Sequence, residues 1–184
     1  MRLLNHKALI AACCVFVVSQ ASVVAQSTTE ADALATIKLA TNPTSKLAAA
    51  EDFLAKFPNS SARLSIAEVI ADEILKIRTG PVALALLERA RTAFTSEQER
   101  EILKPAALEA YVIGNRLDDA FSLAGEMLAK NADDILVLAR MTFAGTEQVR
   151  GKNRKYADVS LQYGLKAIAL IEAGKKPTNI SEES

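Results

Sequence analysis

Apolar residues recur along this chain every three or four positions, the spacing that gathers them on one face of an α-helix. Ile66, Ile70, Ile74 and Ile77 form one such stripe, and Ala67, Val69, Ala71 and Leu75 broaden it. A helix that apolar is expected to be packed on most sides. No stretch alternates apolar and polar residues long enough to make a strand.

Punctuation then divides the helical pattern. Thr29 to Ala40 reads as a first helix, broken by Asn42-Pro43. Thr44-Ser45 offers an N-cap for a second, Lys46 to Phe57, which Pro58 ends. Asn59-Ser60 caps a third, Ser61 to Thr79. Gly80-Pro81 has the order of a helix end followed by a helix start, and predicts a fourth from Pro81 to Phe94. Ser96 and Glu99 have the spacing of a capping box for a fifth, which runs to Ile113. Pro105 falls inside it and predicts a kink or a break. Gly114-Asn115 ends it, and Leu117 to Lys130 is the sixth. Its Asp118 and Asp119 suit the positive end of a helix. Asp133-Asp134 opens a seventh, through Gln148. A polar loop, Arg150 to Lys155, leads to an eighth, Tyr156 to Ala173, closed by Gly174. Residues 174–184 read as a disordered polar tail.

The turns repeat. LAKFPNS (54–60), RTAFTSE (91–97) and LAKNADD (128–134) stand 37 residues apart, and each is a helix end, a turn and a helix start. Leu47, Leu84 and Phe121 keep that step, as do Ala49, Leu86 and Leu123. Equal intervals between equivalent apolar positions mark a helical repeat, in which each helix pair hides its apolar face only by stacking on a neighbour. The units run 29–57, 60–94, 97–131 and 133–173.

Tyr111, then Gly114-Asn115, Ala120-Phe121 and Met127 to Asp134 resemble the tetratricopeptide repeat (TPR). Phe57-Pro58-Asn59-Ser60 resembles the end of such a repeat in envelope proteins of that family. Ala132 stands where the family has Pro, and the step of 37 exceeds the usual length of about 34. The resemblance implies an all-α TPR-like α-solenoid of about four antiparallel helix pairs. First helices would line a concave face and second helices a convex one. It also implies a scaffold for proteins or peptides without catalytic residues, and gives Tyr111 a place in packing between helices or in the groove.

The first 25 residues change the compartment. Arg2 and Lys7 precede an apolar run, Ala8 to Val18, and small residues end at Ala25. That is the grammar of a cleaved signal peptide, on a segment too short to span a bilayer. Ile10-Ala11-Ala12-Cys13 resembles a lipobox, which makes a lipoprotein anchored at Cys13 the alternative. Cys13, Cys14 and the only histidine, His6, all lie in this leader. The chain from Gln26 onward therefore lacks the usual general base, thiol nucleophile and zinc ligands. Paired carboxylates remain the only familiar catalytic chemistry. Twenty-two basic and 22 acidic residues in the whole chain lack the basic excess of a nucleic-acid binder.

Arg150, Lys152, Arg154 and Lys155 put four cations in six positions, suited to an acidic partner or anionic lipid headgroups, or to a solvated loop. Tyr156 and Tyr163, seven apart, read as a packing seam. Asp118-Asp119 and Asp133-Asp134 read as helix caps, not as metal ligands. Leu161, Leu165, Ile168, Ala169 and Ile171 of the eighth helix leave an apolar face in need of a partner. The sequence thus predicts an exported, non-enzymatic TPR-like scaffold, periplasmic or secreted, that binds a protein or peptide in the cell envelope. Its partner-binding candidates are Tyr111, Arg150, Lys152, Arg154 and Lys155, with no cofactor and no metal. A self-associating envelope protein is the alternative and a carboxylate-based hydrolase the third. Peripheral membrane contact and homo-oligomerisation stay open.

Overall fold

The computed structural model describes residues 29–177. The signal peptide, Cys13 and all but the first residues of the tail lie outside them. The described residues form eight α-helices and no strand: α1 (Glu30–Leu39), α2 (Pro43–Lys56), α3 (Arg63–Leu75), α4 (Gly80–Ala93), α5 (Glu97–Ile113), α6 (Leu117–Lys130), α7 (Ile135–Arg150) and α8 (Ala157–Glu172). None is long and apolar enough to cross a membrane.

Local chemistry sets the starts. Thr29 and Asp32 make a reciprocal capping box at α1, and Ser96 and Glu99 make another at α5. Asp134 caps α7 by accepting from the Val137 amide at 3.1 Å. At α2 the cap is Asn42, whose side chain accepts from the Ser45 amide at 2.9 Å. This corrects the expectation for Thr44-Ser45: Pro43 lacks an N–H and fits the first turn, so the helix starts three residues earlier. Ser60 caps a turn rather than a helix, accepting from the Ala62 amide at 3.0 Å. The third helix stops at Leu75, short of Thr79. The residues after it turn the chain so that Gly80 meets the backbone of Ile113 and Gly114. A Cβ at Gly80 would lie 2.4 Å from the Ile113 carbonyl oxygen.

The break expected at Pro105 is absent, because α5 runs unbroken through it. Pro105 is exposed, so its ring meets solvent rather than packing. The residue still removes one backbone bond, the one its N–H would give the Glu101 carbonyl. Pro105→Ala is therefore expected to raise the unfolding free energy by about 2 kcal/mol, read as a higher urea midpoint at unchanged slope.

The 37-residue step survives in the boundaries of every second helix. Helices α2, α4 and α6 are each 14 residues long and start at 43, 80 and 117. Each ends on a non-helical residue, Phe57, Phe94 and Asn131, whose amide bonds back four residues. Phe57 and Phe94 tuck in against the core, Phe94 completely. The alternate helices α1, α3, α5 and α7 vary, with 10, 13, 17 and 16 residues.

Sequence neighbours pack together throughout, α7 against α8 most extensively. Helix α5 is the hub, touching α3, α4 and α6. One apolar core runs through the array, with Phe53, Leu47, Ile70, Leu87, Leu103 and Met141 fully buried. Of the α3 stripe, Ile66, Ile70 and Ile74 are buried, while Val69 faces solvent. Ion pairs tie helices across the array. Arg89 holds Glu51 through two bonds, at 3.1 and 2.6 Å, and Arg140 holds Glu109 at 2.6 and 3.1 Å. Two-pronged pairs of this kind fix orientation as well as proximity.

Candidate functional site

Helices α4 and α6 leave between them a groove of about 520 Å³ floored by α5. Leu103, Ala107 and Tyr111 form its apolar base. Tyr111 is nearly buried, and its hydroxyl accepts a hydrogen bond from the Arg91 guanidinium. The Arg116 guanidinium stacks 4.8 Å from its ring centroid. Two cations thus clamp this side chain, one at its hydroxyl and one at its face.

The groove walls are charged, and most charges are matched. Lys104 pairs with Glu101 at 2.9 Å and reaches Glu126 at 3.8 Å, while Lys130 also holds Glu101. Hydrogen bonds from Lys104 and Lys130 keep the Glu101 carboxyl below the ordinary glutamate range. Arg100 differs: its side chain has no partner among the described residues. One repeat earlier, the equivalent Arg63 donates to Glu99 at 2.7 Å. The position one repeat after Glu99 is Leu136, which is exposed and carries no charge. Arg100 thus faces the groove without the carboxylate that its counterpart owns.

A second cluster lies at the far end of the array. Arg150 is the last residue of α7, not part of the loop as expected, and donates to Glu147 at 2.6 Å. The helix runs on past Gln148 because Gly151 and the Lys152 amide close it, with Lys152 in the left-handed region (φ 68°). Lys152 and Arg154 carry exposed side chains with no ion-pair partner among the described residues. Lys155 bonds to Asp118 at the start of α6, and so does the Tyr156 hydroxyl. Those two bonds, Lys155 first, hold the Asp118 carboxyl below its usual range. Tyr156 stacks on Phe121 at 4.3 Å. The Tyr156 ring therefore ties the turn before α8 to α6, and Lys155 serves that joint. Tyr163 also packs against the core.

The five predicted binding residues thus divide. Tyr111 lines the groove, Lys155 is tied into packing, and Arg150, Lys152 and Arg154 fringe the α7–α8 turn. Arg116 links the regions: it touches the Tyr111 ring and lines, with Lys155, a small recess of about 280 Å³. Asp119 pairs with Arg116 at 2.7 Å, and Asp133 with Lys175 and Lys166. Sequence reading missed the groove walls Arg91, Arg100, Lys104 and Glu126. They come from three helices, and only the repeat offset between Arg63 and Arg100 marks one of them.

Carboxylate chemistry needs an acid held protonated near neutral pH. Asp32, Glu73, Glu99, Glu101, Asp118 and Asp133 all move the other way, each lowered by a hydrogen-bonding partner. No family model, curated protein or solved structure matches the chain.

Proposed function

We propose that this chain is an exported, TPR-like repeat scaffold, and that it binds a protein or peptide partner in the groove over α5. The carrying observation is the recurrence of α2, α4 and α6, 14 residues each at a step of 37, with an open groove where α4 and α6 part. Packing of α3 and α4 on α5, and of α6 on α7, is what stacked helix pairs require. The groove offers an apolar floor, a clamped aromatic and an unmatched guanidinium. A partner segment with one apolar anchor and a carboxylate would fill all three.

A photo-crosslinking residue at Ser122, in the groove wall, tests this in the envelope of the native host. The expected result is a discrete adduct, lost on Arg100→Glu and absent when the probe sits at Ala48 of α2. No adduct at Ser122, or equal adducts at both positions, overturns the reading. Recovery of a mature chain beginning at Gln26 would support export.

A further inference from the structure

Helix α8 buries Tyr163 partly and Ser160 and Ala167 fully, and turns a different face outward. On that face Leu161, Leu165, Ile168 and Ile171 are 54–63 % exposed. Leu161, Leu165 and Ile168 follow one another at four and three residues, so they form one continuous ridge. Four large aliphatic side chains left in water on one helix call for a cover.

The surrounding charge says which cover. Residues 150–176 contain seven basic side chains (Arg150, Lys152, Arg154, Lys155, Lys166, Lys175 and Lys176) and two acidic ones, Asp158 and Glu172. The rest of the chain has 15 basic and 20 acidic residues. Arg150, Lys155, Lys166 and Lys175 are paired with Glu147, Asp118 and Asp133, which leaves Lys152 and Arg154 as the cations near this helix without an ion-pair partner among the described residues. Exposed cations stand before the ridge at 152 and 154 and after it at 175 and 176, Lys175 being held by Asp133, with Asp158 and Glu172 nearer its ends. An apolar helix face bracketed by Lys and Arg is the arrangement that lies in the headgroup layer of an anionic membrane.

A second copy of the chain fits worse. Antiparallel pairing of two ridges about Leu165 sets Asp158, seven residues before it, against Glu172 of the other copy, seven after it. Parallel pairing sets each acid against itself. Both juxtapose like charges beside the apolar contact.

We infer that α8 docks this protein on the surface of a bilayer containing anionic lipid. Leu161, Leu165, Ile168 and Ile171 enter the headgroup region, and Lys152 and Arg154 meet the phosphates. The groove over α5 stays open to solvent for its partner.

The chain contains no tryptophan, so Leu165→Trp gives a single clean reporter. The processed form made by the host is mixed with phosphatidylcholine vesicles, with or without about 30 % phosphatidylglycerol. Expected are a blue shift of emission with the anionic vesicles only, and co-sedimentation that falls at least tenfold between about 0.1 M and 1 M salt. Leu165→Glu, and separately Lys152→Glu/Arg154→Glu, should each weaken co-sedimentation at least tenfold while the thermal transition stays in place, since all three positions are exposed. Absence of a shift with anionic vesicles overturns the inference. So does a shift that grows with protein concentration without lipid, which would assign the ridge to a second copy. Binding that survives Leu165→Glu would place the contact elsewhere, the leader included, and would overturn it too.

Discussion

Arg63→Ala is expected to lower the unfolding free energy by about 3 kcal/mol, the range seen when one member of a buried ion pair is removed. Glu99 is 1 % exposed, and among the described residues Arg63 on α3 is its only paired cation, 2.7 Å away. Burial pushes the Glu99 carboxyl up, but the Arg63 bond and two bonds to Ser96 outweigh it, and the net direction is down. Without Arg63 the charge stays buried with only the helix cap to answer it. The carboxyl should then titrate above its ordinary range, and the seam between α3 and α5 should loosen. Glu99→Gln in the same background should recover about half of the loss, because a neutral amide has less to lose by burial.

Acid titration gives an independent reading of the same pair. A carboxyl lowered by folding stabilises the native state above its unfolded value, and that contribution fades as pH falls through the folded value. In the parent, stability should therefore decline on acidification below the ordinary glutamate range. In Arg63→Ala the carboxyl is raised, so its penalty should shrink as acid protonates it, and the two proteins should converge at low pH. Denaturant melts across that range measure it; a constant gap between the two would show that Glu99 is not the group responsible.

Gly145→Val should be comparably damaging, at about 3 kcal/mol. Gly145 lies on α7 where α8 crosses it, and a Cβ there would stand 1.7 Å from the Ser160 Oγ and 2.6 Å from the Ser160 Cβ. Rotating the hydroxyl away clears only the first contact, so the helices must part. Gly145→Ala should destabilise less, and Ser160→Gly should rescue it by removing both atoms, a coupling visible in a double-mutant cycle. Gly125 on α6, where an added Cβ would meet nothing within 4 Å, serves as the control. There Gly→Ala should stabilise by about 1 kcal/mol through helix propensity alone. Equal behaviour at the two glycines would refute close packing of α7 on α8.

Much of this fold was readable because its signals are local. Caps at Ser96 and Asp134, and the stop at Gly114, involve neighbours within a few residues. The misplacements were local too. Asn42 outcompeted Thr44-Ser45 because Pro43 fixes the first turn, and α3 gave up its last residues to the turn that seats Gly80. The exposed ridge of α8 is legible as well, since Leu161, Leu165, Ile168 and Ile171 recur at three and four positions. The groove is not. Arg91, Lys104 and Glu126 meet only when α4, α5 and α6 pack, and no local pattern joins them. The Arg63–Glu99 pair was hidden by its separation of 36 residues.

The first and last of the eight described helices differ in length. At 1.5 Å per residue α1 is about 15 Å long and α8 about 24 Å. A copy that offered its α1 end to α8 would leave roughly a third of that helix uncovered. That mismatch works against head-to-tail growth through contact of these two helices.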